Sequence, residues 1–126
     1  QFKSAFQDIF WPNEQICKLI PKLSSRYQLL LASNTNEAHF EKFRVTFGPV
    51  LDHFHALGTS HTLNARKPMP EFYEAVQSLT QHAPEECVFL DDLHENIVAA
   101  QKHGWHGIVY QQHEEAMQKL QSLGIQ

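Results

Sequence analysis

Cys87-Val-Phe-Leu-Asp-Asp-Leu-His-Glu-Asn96 constrains this chain more than any other stretch. The four apolar residues Cys87 to Leu90 lack the polar alternation of a half-exposed strand, so they predict a short strand buried on both faces, the character of strands inside a parallel sheet. Asp91 and Asp92 end the run and put two carboxylates at the strand's tip. Ile97, Ala100 and Gln101 then recur at helical spacing, Ala99 adds a good helix former, and Gly104 stands where a left-handed residue closes a helix. The unit reads as strand, acidic turn, helix.

Adjacent carboxylates repel, and keeping both ionised in one turn is disfavoured unless a cation or water lies between them. Magnesium (Mg2+) suits such a tip, because it takes one or two carboxylate oxygens and completes its shell with waters and substrate phosphate. On these two residues alone the alternative is equally open. Asp91 and Asp92 would then be turn residues in water, favoured by the positive N-terminus of the following helix.

The 126 residues are enough for one domain and too few for two. A formal net charge of -4, with nine histidines taken as neutral, gives no broad basic surface, which argues against a nucleic-acid partner. Cys17 and Cys87 both sit in apolar patterns and form no disulfide framework, which fits a reducing, cytoplasmic setting. No apolar run approaches the roughly 18 residues of a membrane span, and no signal peptide is visible, so no membrane partner is expected.

Along the chain, Phe2, Phe6, Ile9 and Phe10 fall at helical spacing until Trp11-Pro12-Asn13 breaks the pattern. Asn13 can cap a second helix with the stripe Ile16, Leu19, Ile20 and Leu23, bent or shortened at Pro21. Tyr27 to Ala32 predicts a buried strand that ends in the polar turn Ser33-Asn34-Thr35-Asn36. Glu37 to Phe47 predicts a helix closed by Gly48-Pro49, and His53 to Leu57 a strand of mixed alternation. A polar loop from Gly58 to Arg66 leads to Lys67-Pro68-Met69-Pro70, the entry to a helix with the stripe Phe72, Val76 and Leu79. Beyond the acidic unit, Gly107 to Tyr110 predicts a last strand and Glu114 to Leu123 a last helix.

Four alternations of strand and helix argue for an α/β fold, a Rossmann-like parallel sheet with helices on both faces. Such sheets bind ligands beyond the carboxyl ends of their strands, near the point where strand order reverses. Ser33 and the pair Asp91-Asp92 each follow a strand directly, and Lys67 stands on the loop leaving a third. All three chemistries would therefore share one crevice. Ser33 or Asn34 could equally be a helix cap, but Lys67 is harder to dismiss, since a cation at a helix N-terminus opposes the macrodipole.

Three segments, Leu29 to Asn36 (LLLASNTN), Ala65 to Tyr73 (ARKPMPEFY) and Cys87 to Tyr110 (CVFLDDLHENIVAAQKHGWHGIVY), occur in the order of the second, third and fourth motifs of the haloacid dehalogenase-like (HAD) hydrolases. The chain resembles that superfamily from Tyr27 onward, and most of all its small phosphatases with a helical cap, including those acting on sugar phosphates. It is also similar to the phosphatase domain of epoxide hydrolases. The resemblance implies that residues 1–24 are the end of the cap and a connecting helix, and that residues 25–126 are an incomplete core.

The same resemblance implies a magnesium-dependent phosphatase of a small phosphorylated metabolite, working through an aspartyl-phosphate. Ser33 would hydrogen-bond a phosphoryl oxygen, with Asn34 helping to position the substrate. Lys67 would neutralise charge on the nucleophile and the transferring group. Asp92 would ligate magnesium, Asp91 would support it, and Asn96 would stand behind them. The histidines, His53, His55 and His94 included, look like surface and packing residues rather than ligands.

The family's first motif departs most. An Asp-x-Asp element should supply the attacking and the acid/base aspartates, and no Asp-x-Asp occurs in this chain. Asp8 lies in a helical pattern and Asp52 is followed by His-Phe, so neither is expected to be the nucleophile. The expectation is that the first strand and most of the cap lie upstream, that the sheet has a gap between the strands at Tyr27 and Cys87, and that the chain alone is inactive and aggregates through those edges. Two other readings stay open, a 2-haloacid dehalogenase and a catalytically incomplete relative that only binds a phosphorylated ligand. The family's dehalogenases have a Ser-Ser-Asn-like fourth motif where this chain has Asp91-Asp92, which favours phosphoryl transfer.

Overall fold

The computed structural model describes residues 2–7 and 14–125. Its strands are β1 (Ser4–Gln7), β2 (Gln28–Ser33), β3 (Ala56–Thr59), β4 (Cys87–Asp91) and β5 (His106–Val109). Its helices are α1 (Glu14–Ser24), α2 (Glu37–Leu51), a short α3 (Ser60–Leu63), α4 (Pro70–Gln77), α5 (His94–His103) and α6 (His113–Ser122). All four strand pairings are parallel, in the order β3-β2-β1-β4-β5.

The expected α/β architecture is therefore present, a Rossmann-like parallel sheet covered on both faces. One cluster packs Ala5, Leu29, Leu31, Val88, Leu90 and Ile108 of the sheet against Ile20 and Leu23 of α1, Phe40 and Leu51 of α2, and Leu120 of α6. Alternate strand residues, Phe6, Leu30, Ala32 and Phe89, meet Phe72, Tyr73 and Val76 of α4 and Ile97 and Ala100 of α5 on the other side. Such period-two division of the strands between two cores is what makes a strand fully apolar.

The place between β2 and β4 that the sequence leaves empty is filled. Ser4, Ala5 and Phe6 pair with Gln28, Leu29 and Leu30 on one side and with Cys87, Val88 and Phe89 on the other. Residues 4–7 are thus a central strand and not part of a helix, and β2 and β4 have no open edge facing each other. Helical spacing of Phe2 and Phe6 is real, but two strands offering unpaired backbone groups outweigh local periodicity over four residues. The rest of that expected helix, Asp8 to Phe10, and the break at Trp11-Pro12-Asn13 lie outside the described residues.

Two further boundaries move. α2 continues through Gly48 and Pro49 to Leu51, and the Asp52 backbone N–H closes it by donating to the carbonyls of Gly48 and Val50. β3 starts later than expected and includes Gly58 and Thr59, because Gly58 is where the strand passes close to its neighbour. A Cβ at Gly58 would lie 2.9 Å from the Leu31 carbonyl oxygen and 3.0 Å from Val76 Cγ2. Gly104 has φ 108° and ends α5 as its spacing predicts.

Candidate active site

Strand order reverses between β1 and β4, so the crevice beyond their carboxyl ends is the switch point of this sheet. Asp91 is the last residue of β4 and is buried there. Its Oδ1 accepts from the Leu93 backbone N–H at 2.9 Å, which turns the chain sharply into α5. Its Oδ2 accepts from Lys67 Nζ at 2.6 Å and from Asn96 Nδ2 at 3.3 Å.

Lys67 arrives from the loop between α3 and α4, where the Lys67-Pro68 peptide bond is cis. The whole residue is buried, and its ammonium also lies 5.3 Å from the centre of the Phe89 ring. Its main chain is gripped by Asn34, the first residue after β2. Lys67 N donates to Asn34 Oδ1 at 2.8 Å, and Asn34 Nδ2 donates to the Lys67 carbonyl at 3.0 Å. The loop, the tip of β2 and the tip of β4 are thereby tied together through one lysine.

Asn96 sits in the first turn of α5, and Tyr73 of α4 holds it from behind by donating its hydroxyl to the Asn96 carbonyl at 2.8 Å. Burial, and then the charges of Asp91 and Glu95, push the Tyr73 phenol well above its ordinary range, so it stays a donor. Tyr73 carries no sequence signal beyond its place beside Phe72. The neighbouring turn is braced similarly, since Ser60 Oγ accepts from Thr35 N at 2.8 Å and donates to Thr35 O at 2.7 Å.

Ser33, half-buried at the end of β2, makes no side-chain hydrogen bond among the described residues. Asp92 is exposed, yet its carboxyl is pushed up, first by partial desolvation and then by a hydrogen bond to Asp91 and that residue's charge. The remaining candidates lie apart. His94 is exposed at the start of α5, and His53 Nδ1 lies 3.3 Å from Ser24 Oγ.

Among the described residues no three His, Cys, Asp or Glu side chains converge as a metal-ligand group. Two carboxylates still fit magnesium, which fills most of its shell with water and phosphate. The Asp92 carboxyl, held against a second carboxylate at a cost, is the group whose charge a cation there would offset.

A family model described as haloacid dehalogenase-like hydrolase matches residues 12–104. The chain belongs to the haloacid dehalogenase-like hydrolases. A HAD family enzyme from Bacteroides thetaiotaomicron, bt-2542, has been solved with magnesium and inorganic phosphate. It is 29% identical and superposes with a TM-score of 0.73 over 79% of this chain and 52% of its own. A predicted HAD-like hydrolase from Porphyromonas gingivalis is 22% identical, with a TM-score of 0.79 over 94% of this chain and 60% of its own. An uncharacterized protein from Corynebacterium glutamicum shares the fold at 17% identity and a TM-score of 0.81, over 100% of this chain and 98% of its own. The chain thus spans about half of the Bacteroides enzyme and nearly all of the Corynebacterium protein. No curated protein matches the sequence.

Proposed function

We propose that the protein is a magnesium-dependent phosphatase acting on a small phosphorylated metabolite. The observation that carries this reading is the buried Lys67-Asp91 pair at the switch point, with the carboxyl of Asp92 against it. A cation fixed before substrate arrives stabilises charge that develops on a transferring phosphoryl group without reorganising. Ser33 offers an unengaged hydroxyl to a phosphoryl oxygen, and Asp92 with Asp91 would hold the ion, Asn96 orienting Asp91 from behind. When bound, magnesium would offset the charge of phosphate and attacking carboxylate. The Bacteroides enzyme bound to magnesium and phosphate supports the same assignment.

An aspartyl-phosphate requires an attacking carboxylate and an acid/base partner, and these lie outside the described residues. Asp8 follows β1 directly, but Phe10 stands two positions on where the family has its second aspartate. The described residues can therefore bind, orient and neutralise a phosphoryl group, and would give no turnover by themselves.

The test is a panel of small phosphomonoesters and 2-haloacids presented to the protein. Phosphate release abolished by a chelator is the expected result, with Lys67→Ala lowering turnover roughly 100-fold or more, the scale of losing one charge-stabilising donor. Halide release that ignores the chelator, without phosphate release, would establish a dehalogenase instead. Saturable phosphate binding with no turnover would establish a non-catalytic ligand-binding relative instead.

A further inference from the structure

We propose that Asn34 is a positioning residue, whose amide holds the main chain of Lys67 so that its ammonium meets Asp91, rather than a group that contacts substrate. Both main-chain polar groups of Lys67 are engaged by this one side chain, at 2.8 Å and 3.0 Å. The amide acts as a strand would, giving an N–H and a carbonyl of the same residue their partners. Lys67 is 2% exposed, so neither group could be left to water without cost.

The orientation of the amide follows from its partners. Rotated by half a turn, Nδ2 would face the Lys67 N–H and Oδ1 the Lys67 carbonyl, donor against donor and acceptor against acceptor. Within the segment the Met69 N–H donates to the Arg66 carbonyl at 2.9 Å, a turn that spans Lys67 without engaging its main-chain groups. Pro68 has no N–H, the Lys67-Pro68 bond lies between elements, and Met69 at the start of α4 makes no side-chain cap. A long flexible side chain places its charge only as well as its Cα is placed, and catalytic groups displaced by about 1 Å lose most of their effect.

Amine acetylation followed by mass spectrometry tests the clamp without any catalysis. In the parent chain Lys67 should be protected. In Asn34→Ala it should react roughly tenfold faster or more, the scale of losing two hydrogen bonds, while the buried Cys87 thiol stays unreactive to a maleimide applied in parallel and so reports an intact fold. Unchanged Lys67 protection with Cys87 still protected overturns the proposal. Should Asn34→Ala unfold, hydrogen exchange of the parent chain decides instead. Slow exchange of the Lys67 amide and of one Asn34 Nδ2 proton supports the clamp, and fast exchange of both overturns it.

The catalytic arm rests on the phosphatase reading. In the active protein Asn34→Ala should lower kcat with KM unchanged. A raised KM with kcat unchanged would make Asn34 a substrate contact. Failure of the phosphatase reading would remove this arm and leave acetylation and exchange to decide.

Discussion

Lys67 Nζ lies 2.6 Å from Asp91 Oδ2, and each side chain is 1% exposed. A pair removed from water this completely is stabilising chiefly in the sense that neither member tolerates loss of the other. Lys67→Met, which strands the Asp91 carboxylate, should lower unfolding free energy by about 3–5 kcal/mol in urea titrations. Adding Asp91→Leu to Lys67→Met should recover part of that loss. A double variant as destabilised as the sum of the single ones would show that the two charges do not depend on each other.

Phe6 is the probe of the central strand. It is fully buried and stacks on Trp105 with ring centres 4.2 Å apart. Phe6→Ala should cost about 3–5 kcal/mol in the same titration. A cost below about 1 kcal/mol would mean that residues 4–7 do not occupy the middle of the sheet.

Close approach at Gly58 has a stability consequence. The atom nearest a new Cβ there is the Leu31 carbonyl oxygen of the adjacent strand, which cannot rotate away as a side chain could. Gly58→Ala should lose about 1–3 kcal/mol, whereas Gly48→Ala, where nothing lies within 4 Å, should not destabilise. Thermal melts of the two variants give the comparison.

His103 should make stability depend on pH. Its Nε2 is buried with no hydrogen-bond partner among the described residues, and desolvation lowers its folded pKa below the ordinary imidazole value. A lowered folded pKa means that the unfolded chain binds the proton more readily, so stability increases with pH across that window. The contribution is complete above the unfolded value of about 6.5 and is lost as pH falls through the folded one. Replacing His103 by Phe should flatten that part of a stability-versus-pH curve, and an unchanged slope would place its origin elsewhere.

How much of this was legible follows from what each residue reveals locally. β4 and α5 could be read because Cys87 to Leu90 is uniformly apolar and Gly104 ends a periodic stretch. β1 could not, since only Ala5 and Phe6 of its four residues are apolar, and its Ser4 is buried against His82 Nδ1 at 2.6 Å and Thr80 Oγ1 at 3.1 Å. Lys67 and Asp91 stood out because each charge was out of place, one at a helix entry and one at a strand tip, and the structure brings these two together. The pair of hydrogen bonds between Asn34 and Lys67 was invisible, because partners 33 residues apart leave no mark on either segment.

The position of β1 also dictates an order of assembly. Its residues precede every other described element, yet their second partner is β4, so Ser4 must wait for Cys87. β1, β2 and β3 can associate as the nascent chain lengthens, and β4 with β5 later, but the seam between the two groups closes only afterwards. Late closure of a long-range parallel pair is slow, and leaves one bare edge on each half until it happens. Asp91 stands at the tip of β4 on that seam, so its place in the crevice depends on two stretches about 80 residues apart having met.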